Sequence, residues 1–236
     1  MSKYIMRLFV RIANGYALYL LITFILSLNQ LSFFNVFLNF VQFMGGPLAH
    51  LLEKKDMVDI INLKIVPYGN THMISNEFHC QHGVAECMSD VMMQCSLYKL
   101  SDNIADISSG SNSILAWPFI KCLTVDNKGH PTAAETCFQS TLAASTQLTW
   151  STVADCYTNN STDVQSAAMR ATPPHDYTAW VVVNHFHISD PNYLMSSVCE
   201  AYTGPKPASC TDGQLALFKH NENNLSCASS WKEKKL

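Results

Sequence analysis

The chain has 236 residues, enough for one ordinary domain with a buried core, and carries 48% hydrophobic and only 14% charged residues at a net charge of −3. A typical soluble domain is roughly 25% charged. Part of the imbalance comes from an apolar N-terminus, and no clustered Lys and Arg could neutralise a run of phosphates, which excludes nucleic-acid binding.

The N-terminus reads as an export signal. Lys3, Arg7 and Arg11 form a basic start, Tyr16 to Leu28 is a short apolar run, and Ser27 or Ser32 supplies the small residue before cleavage. Residues 1–32 are therefore expected to be a signal peptide. The alternative is a membrane anchor, which Asn29, Gln30, Ser32, Asn35, Asn39 and Gln42 oppose by interrupting the span of about 20 apolar residues that crossing needs.

Phe33 to Phe43 reads as a strand, broken by Gly45-Gly46-Pro47, with Pro47 suited to a first helical turn and Leu48, Leu51 and Leu52 at helical spacing. Val58 to Val66 reads as a second strand that ends at the turn Pro67-Tyr68-Gly69-Asn70. Strand, helix, strand in that order predicts a crossover and a parallel pair. From Glu86 to Leu100 the spacing is helical, with Cys87, Val91 and Cys95 on one face. Eight helical residues span about 12 Å, and a disulfide needs Cα atoms roughly 4.4 to 6.8 Å apart. In a continuous helix Cys87 and Cys95 must therefore reach separate partners. Ser101 to Asn112 reads as a loop. Ile114 to Leu123, Thr132 to Ala143 and Ser151 to Cys156 read as helices, Thr178 to Asn184 as a buried strand, and Asn192 to Tyr202 as a closing helix stopped by Gly204-Pro205. Residues 211–236 form a polar tail, whose Lys232-Glu233-Lys234-Lys235 reads as a solvated end.

All nine cysteines lie between Cys80 and Cys227. Behind an export signal they read as a disulfide framework. Asn159 and Asn160, in overlapping N-x-[ST] triplets, and Asn224 are candidate glycosylation sites and agree with export. His79, Cys80, His82 and Cys87 have the ligand chemistry of zinc, but the export signals favour bridges. His185 and His187 alternate like a strand end, and both imidazoles are expected to face solvent and the next turn. No metal or cofactor is expected. Gly45-Gly46 reads as a tight turn rather than an anion cradle.

The string Cys80-Gln81-His82-Gly83-Val84-Ala85-Glu86-Cys87, followed by Cys95, resembles the signature of the gamma-interferon-inducible lysosomal thiol reductase (GILT) family. Val66-Pro67-Tyr68-Gly69-Asn70 resembles that family's VPYGN, and Pro173-Pro174-His175-Asp176-Tyr177 with Trp180 its PPHEYxPW element. Cys199-Glu200-Ala201-Tyr202 with Cys210 is similar to its C-terminal pair. The resemblance implies an α/β fold, a thioredoxin-like sheet, over residues 33–210, with a disulfide-rich helical insertion at about 75–170. It also implies structural disulfides among Cys80, Cys87, Cys95, Cys122, Cys137, Cys156, Cys199 and Cys210. Cys199 with Cys210 is the best single pair, since Gly204, Pro205 and Pro207 between them can fold the chain back; the other connectivities stay open. Cys227 is left over, either free or joining two chains in a homodimer.

Family members reduce protein disulfides at acidic pH with a Cys-x-x-Cys at the turn after the first strand. Here that turn is Gln42-Phe43-Met44-Gly45-Gly46-Pro47, and no cysteine precedes Cys80. Exchange needs an attacking thiolate and a resolving thiol. The family's proline before the tryptophan is Ala179. A cis bond before alanine costs roughly 2.5 to 4 kcal/mol, so Thr178-Ala179 is expected to be trans. The family's asparagine after the signature is Asp90, a change from which nothing is drawn. The expectation is a secreted, glycosylated, non-catalytic scaffold that binds a protein or cell-surface ligand, similar to GILT-like proteins of insect secretions that lack the redox pair. A salivary, immune or host–pathogen contact role would fit it. The alternatives are an atypical thiol–disulfide oxidoreductase using cysteines of the insertion and, for location, the lysosomal or endosomal lumen.

Overall fold

The computed structural model describes residues 40–211, except residues 102, 105, 106, 108 and 109. The signal-peptide reading, Asn224, Cys227 and the polar tail beyond residue 211 lie outside the described residues. Among the described residues no helix is long and apolar enough to cross a membrane.

The fold is built from helices around one apolar core. Helix α1 is described from residue 40 to residue 52, and the short α2 spans Lys55–Val58. An antiparallel hairpin follows, β1 (His72–Ile74) with β2 (Glu77–His79). Then come α3 (Val84–Ser101), α4 (Gly110–Lys121), α5 (Ala134–Ser140), α6 (Leu142–Ser145) and the long α7 (Trp150–Ala171). A second hairpin, β3 (Val182–Val183) with β4 (Phe186–His187), precedes α8 (Leu194–Ala201). Phe43, Leu51, Met57, Leu97, Phe119, Phe138, Val153 and Val164 share the core, and Phe138 sits between Phe119 and Trp150 at ring centroid distances of 6.0 and 5.6 Å.

Several expected strands are corrected. Residues 40–43 are helical, not the end of a strand; residues 33–39 lie outside the described residues. Gly45-Gly46-Pro47 does not break the chain but sits inside a π turn, Met44–Leu48, so Pro47 is not at a first helical turn. Proline removes one i→i−4 hydrogen bond, and a wider turn passes the chain through that gap without ending the helix. Val58 closes α2, and residues 61–66 run without strand pairing. The alternation that suggested a strand is present: Asn62 and Lys64 are exposed, while Leu63 and Ile65 are half-buried on the core. The partner is not a strand, because the Ile65 N–H donates to the Ser113 hydroxyl of α4 at 3.0 Å. The Thr178–Asn184 strand shrinks to Val182–Val183, and Val182 is 44% exposed. The strands among the described residues therefore form two antiparallel hairpins, with no parallel pair and no thioredoxin-like sheet.

Both hairpins close on two residues with positive φ, Ser75-Asn76 (50° and 66°) and Asn184-His185 (46° and 73°). This is the left-handed pairing that matches strand twist, and asparagine tolerates it best among non-glycine residues.

Thr178-Ala179 is cis, not trans. The cost argument treats an isolated peptide bond, whereas here Ala179 packs on the core and the Thr178 methyl lies beside Gly69. Surrounding contacts set the isomer. His185 and His187 are both exposed, as expected, and His187 has ring partners as well. Its ring stacks on Trp180 at 3.6 Å and 10°, and its Nε2 is hydrogen-bonded to the Tyr177 hydroxyl at 2.8 Å.

Candidate functional site

The eight cysteines of the described region form four disulfides: Cys80–Cys87, Cys95–Cys156, Cys122–Cys137 and Cys199–Cys210. Cys87 and Cys95 indeed face different partners, because α3 is continuous between them. The Cys95–Cys156 bridge joins α3 to α7 in the core, where both residues are almost fully buried. With the Cys80 and Cys87 sulfurs bonded to each other, the zinc reading loses its thiolates. No group of three metal-ligating side chains is present among the described residues.

Each residue of the signature has a local task. Cys80 and Cys87 pin the approach to α3 against its first turn, and the Thr71 hydroxyl reaches the Cys80 sulfur at 3.2 Å. Gly83 has φ of +90°, a conformation that side chains rarely adopt. Glu86, in the first turn, turns back to accept from the His82 N–H at 2.7 Å and also meets His82 Nδ1 at 3.0 Å. That return bond satisfies a donor at the helix entry, and a carboxylate there also suits the positive end of the helix dipole. The Gln81 Oε1 accepts from Asn70 Nδ2 at 2.8 Å, and the Asn70 Oδ1 is hydrogen-bonded to His175 Nε2 at 3.0 Å. His175 Nδ1 lies 2.9 Å from the Pro173 carbonyl oxygen.

Asn70 is thus the hub that ties three distant motifs together. Gly69 beside it has φ of +55°, and a Cβ there would lie 3.8 Å from the Thr178 methyl and 3.9 Å from Glu86 Oε1. Those are ordinary contact distances, so it is the positive φ, and not a lack of space, that favours glycine here. Burial raises the Tyr68 hydroxyl above its ordinary value.

Residues 38–141 match the sequence model of the gamma interferon inducible lysosomal thiol reductase (GILT) family. The match contains the whole signature and its Asn70 partner. Over these residues the chain is similar to the GILT family.

A gamma-interferon-inducible lysosomal thiol reductase of Carassius auratus is 30% identical over 169 residues, covering 66% of this chain and 61% of its own. The protein of that name from Mus musculus is also 30% identical over 169 residues, 66% of this chain and 60% of its own. A gamma-interferon-responsive lysosomal thiol protein of Arabidopsis thaliana is 26% identical over 159 residues, 63% of this chain and 60% of its own. The matched region therefore spans about three fifths of the length of these curated relatives.

In this chain the Gln42–Pro47 segment presents no thiol. Phe43 and Met44 are buried and Gly45-Gly46 exposed. The glycosylation candidates Asn159 and Asn160 both lie within α7, Asn159 exposed and Asn160 half-buried. Sequence reasoning missed the Tyr177–Trp180–His187 stack and the Asn70 hub. The first left no spacing signal. Asn70 was visible only as part of a motif, since its partner His175 is 105 positions away.

Proposed function

We propose that this chain is a secreted, glycosylated, non-catalytic member of the GILT family that acts as a disulfide-braced module for binding a protein or cell-surface ligand. The observation that carries this reading is that every cysteine of the described region sits in a bridge, while the segment matching the family's redox turn offers Met44-Gly45-Gly46-Pro47. Without an attacking thiolate there is no mixed disulfide to resolve. The hairpins support a contact role, because Met73, Ile74, Val182 and Phe186 leave large apolar side chains at 41–57% exposure. The names of the curated relatives favour the lysosomal lumen as the alternative location to secretion.

One observation favours a second reading, an atypical thiol–disulfide oxidoreductase. In the Cys80–Cys87 bridge neither cysteine is buried, and Cys87 lies in the first turns of α3, where the helix dipole favours a thiolate. If reduced by an external dithiol, this pair would pass two electrons to a substrate disulfide and close again.

Alkylation of the native protein followed by mass mapping separates the two. The binding-module reading expects no label on any of the eight bridged cysteines, with or without a poised glutathione buffer. Selective labelling of Cys80 and Cys87 under mild poise, with the other bridges intact, would overturn it.

A further inference from the structure

Glu86, Asp90 and Gln94 follow one another at i, i+4 and i+8 along one face of α3. The outer two both address the loop that carries Asn70. Gln94 Nε2 donates to the Pro67 carbonyl at 2.5 Å, and Glu86 Oε1 faces Gly69. Asp90 is bracketed between them. Gln94 is 1% exposed, and its Oε1 is buried without a hydrogen-bond partner. The Pro67 carbonyl fixes which end of the amide faces the loop, so the orphan atom is an acceptor. A buried acceptor left unpaired is unfavourable. One helical turn away, Asp90 has a donor to offer only when its carboxyl is protonated.

We propose that Asp90 is a proton-operated latch: as a neutral acid it gives its hydroxyl to Gln94 Oε1 and seats the Pro67–Asn70 loop on α3, and on ionising it releases that loop. Through Asn70 and His175 the 173–178 loop is released with it. The electrostatics agree. Burial first, and the neighbouring Glu86 carboxylate second, push the Asp90 carboxyl up to about 8. The buried Tyr68 lies in the Pro67–Asn70 loop with its ring against Phe78, and His82 sits on Glu86. On the neighbouring segments and helices, Lys128, His130, Glu135, Asp155 and Asp163 are exposed and Lys121 is half-buried. Glu86 is the charge that acts on Asp90 among the described residues.

The sign follows from the proton count. The native state holds this proton up to about pH 8, whereas the unfolded chain releases it near 3.8. Stability is therefore highest below the unfolded value and falls as pH rises between the two values. An asparagine at this position offers a donor at every pH. The latch stands whichever functional reading holds.

The test compares the disulfide-intact chain with Asp90→Asn and Glu86→Gln, by thermal melting and by amide hydrogen exchange corrected for intrinsic rates. Between pH 5 and 8, the Tm of Asp90→Asn relative to wild type is expected to rise by about 10 °C. Protection of residues 67–70 and 173–178 should fall with pH in wild type and stay level in Asp90→Asn. Glu86→Gln should make the wild-type slope shallower without abolishing it, and it decides the matter if Asp90→Asn does not fold. Parallel pH profiles for wild type and both variants, or loop protection indifferent to pH in wild type, would overturn the latch.

Discussion

Replacing Cys95 and Cys156 together by alanine should lower stability by about 4 kcal/mol and Tm by about 10 °C. The two cysteines are separated by 61 positions, the longest loop closed by any of the four bridges. Cross-linking so long a loop removes much of the freedom of the unfolded chain, and that restriction grows with the logarithm of loop length. The bridge also lies where α3 meets α7, with the two residues 0% and 1% exposed, so strain or a void cannot be relieved by solvent. Cys80–Cys87 closes a separation of only 7, and removing it should cost less and act locally, on the entry to α3. Thermal melting of the two double variants checks the order. Equal losses would mean that the helical core does not depend on the α3–α7 staple.

Phe138→Ala should cost about 4 kcal/mol. The ring is 0% exposed and packs on both Phe119 of α4 and Trp150 of α7. Deleting it leaves a cavity among three helices, and it loosens the segment next to Cys137, whose bridge to Cys122 ties α5 to the end of α4. Denaturant unfolding measures the loss. A cost below about 1 kcal/mol would show that neighbouring side chains collapse into the space.

Much of the helical body is legible in the residues themselves. Cys87, Val91 and Cys95 declare α3, and the impossibility of pairing Cys87 with Cys95 follows from helix geometry alone. The long α7 is barely legible. After Cys156 the run Tyr157-Thr158-Asn159-Asn160-Ser161-Thr162-Asp163 has weak helical preference, and the helix continues because Val153, Cys156, Val164 and Ala168 are buried. Residues 61–66 show the reverse. Their alternation is real, but a strand also needs a partner, and the Ser113 hydroxyl takes the Ile65 N–H instead.

The candidate site is legible as motifs and not as contacts. Gly83 and Glu86 are explained by helix entry, a local matter. Asn70, Gln81 and His175 meet only in three dimensions. Asp90, one residue among many by sequence, gains meaning from Glu86 one turn before it and the unpaired Gln94 oxygen one turn after. Reading the missing proline at Ala179 as a changed backbone is overturned by the cis Thr178-Ala179 bond.

The most direct measurement is disulfide reduction by the purified, disulfide-intact chain, with insulin or immunoglobulin as substrate and a dithiol donor, at acidic and neutral pH. The scaffold account predicts a rate equal to that of the donor alone, unchanged in a variant lacking Cys80 and Cys87. Turnover well above the donor, abolished in that variant, would contradict it.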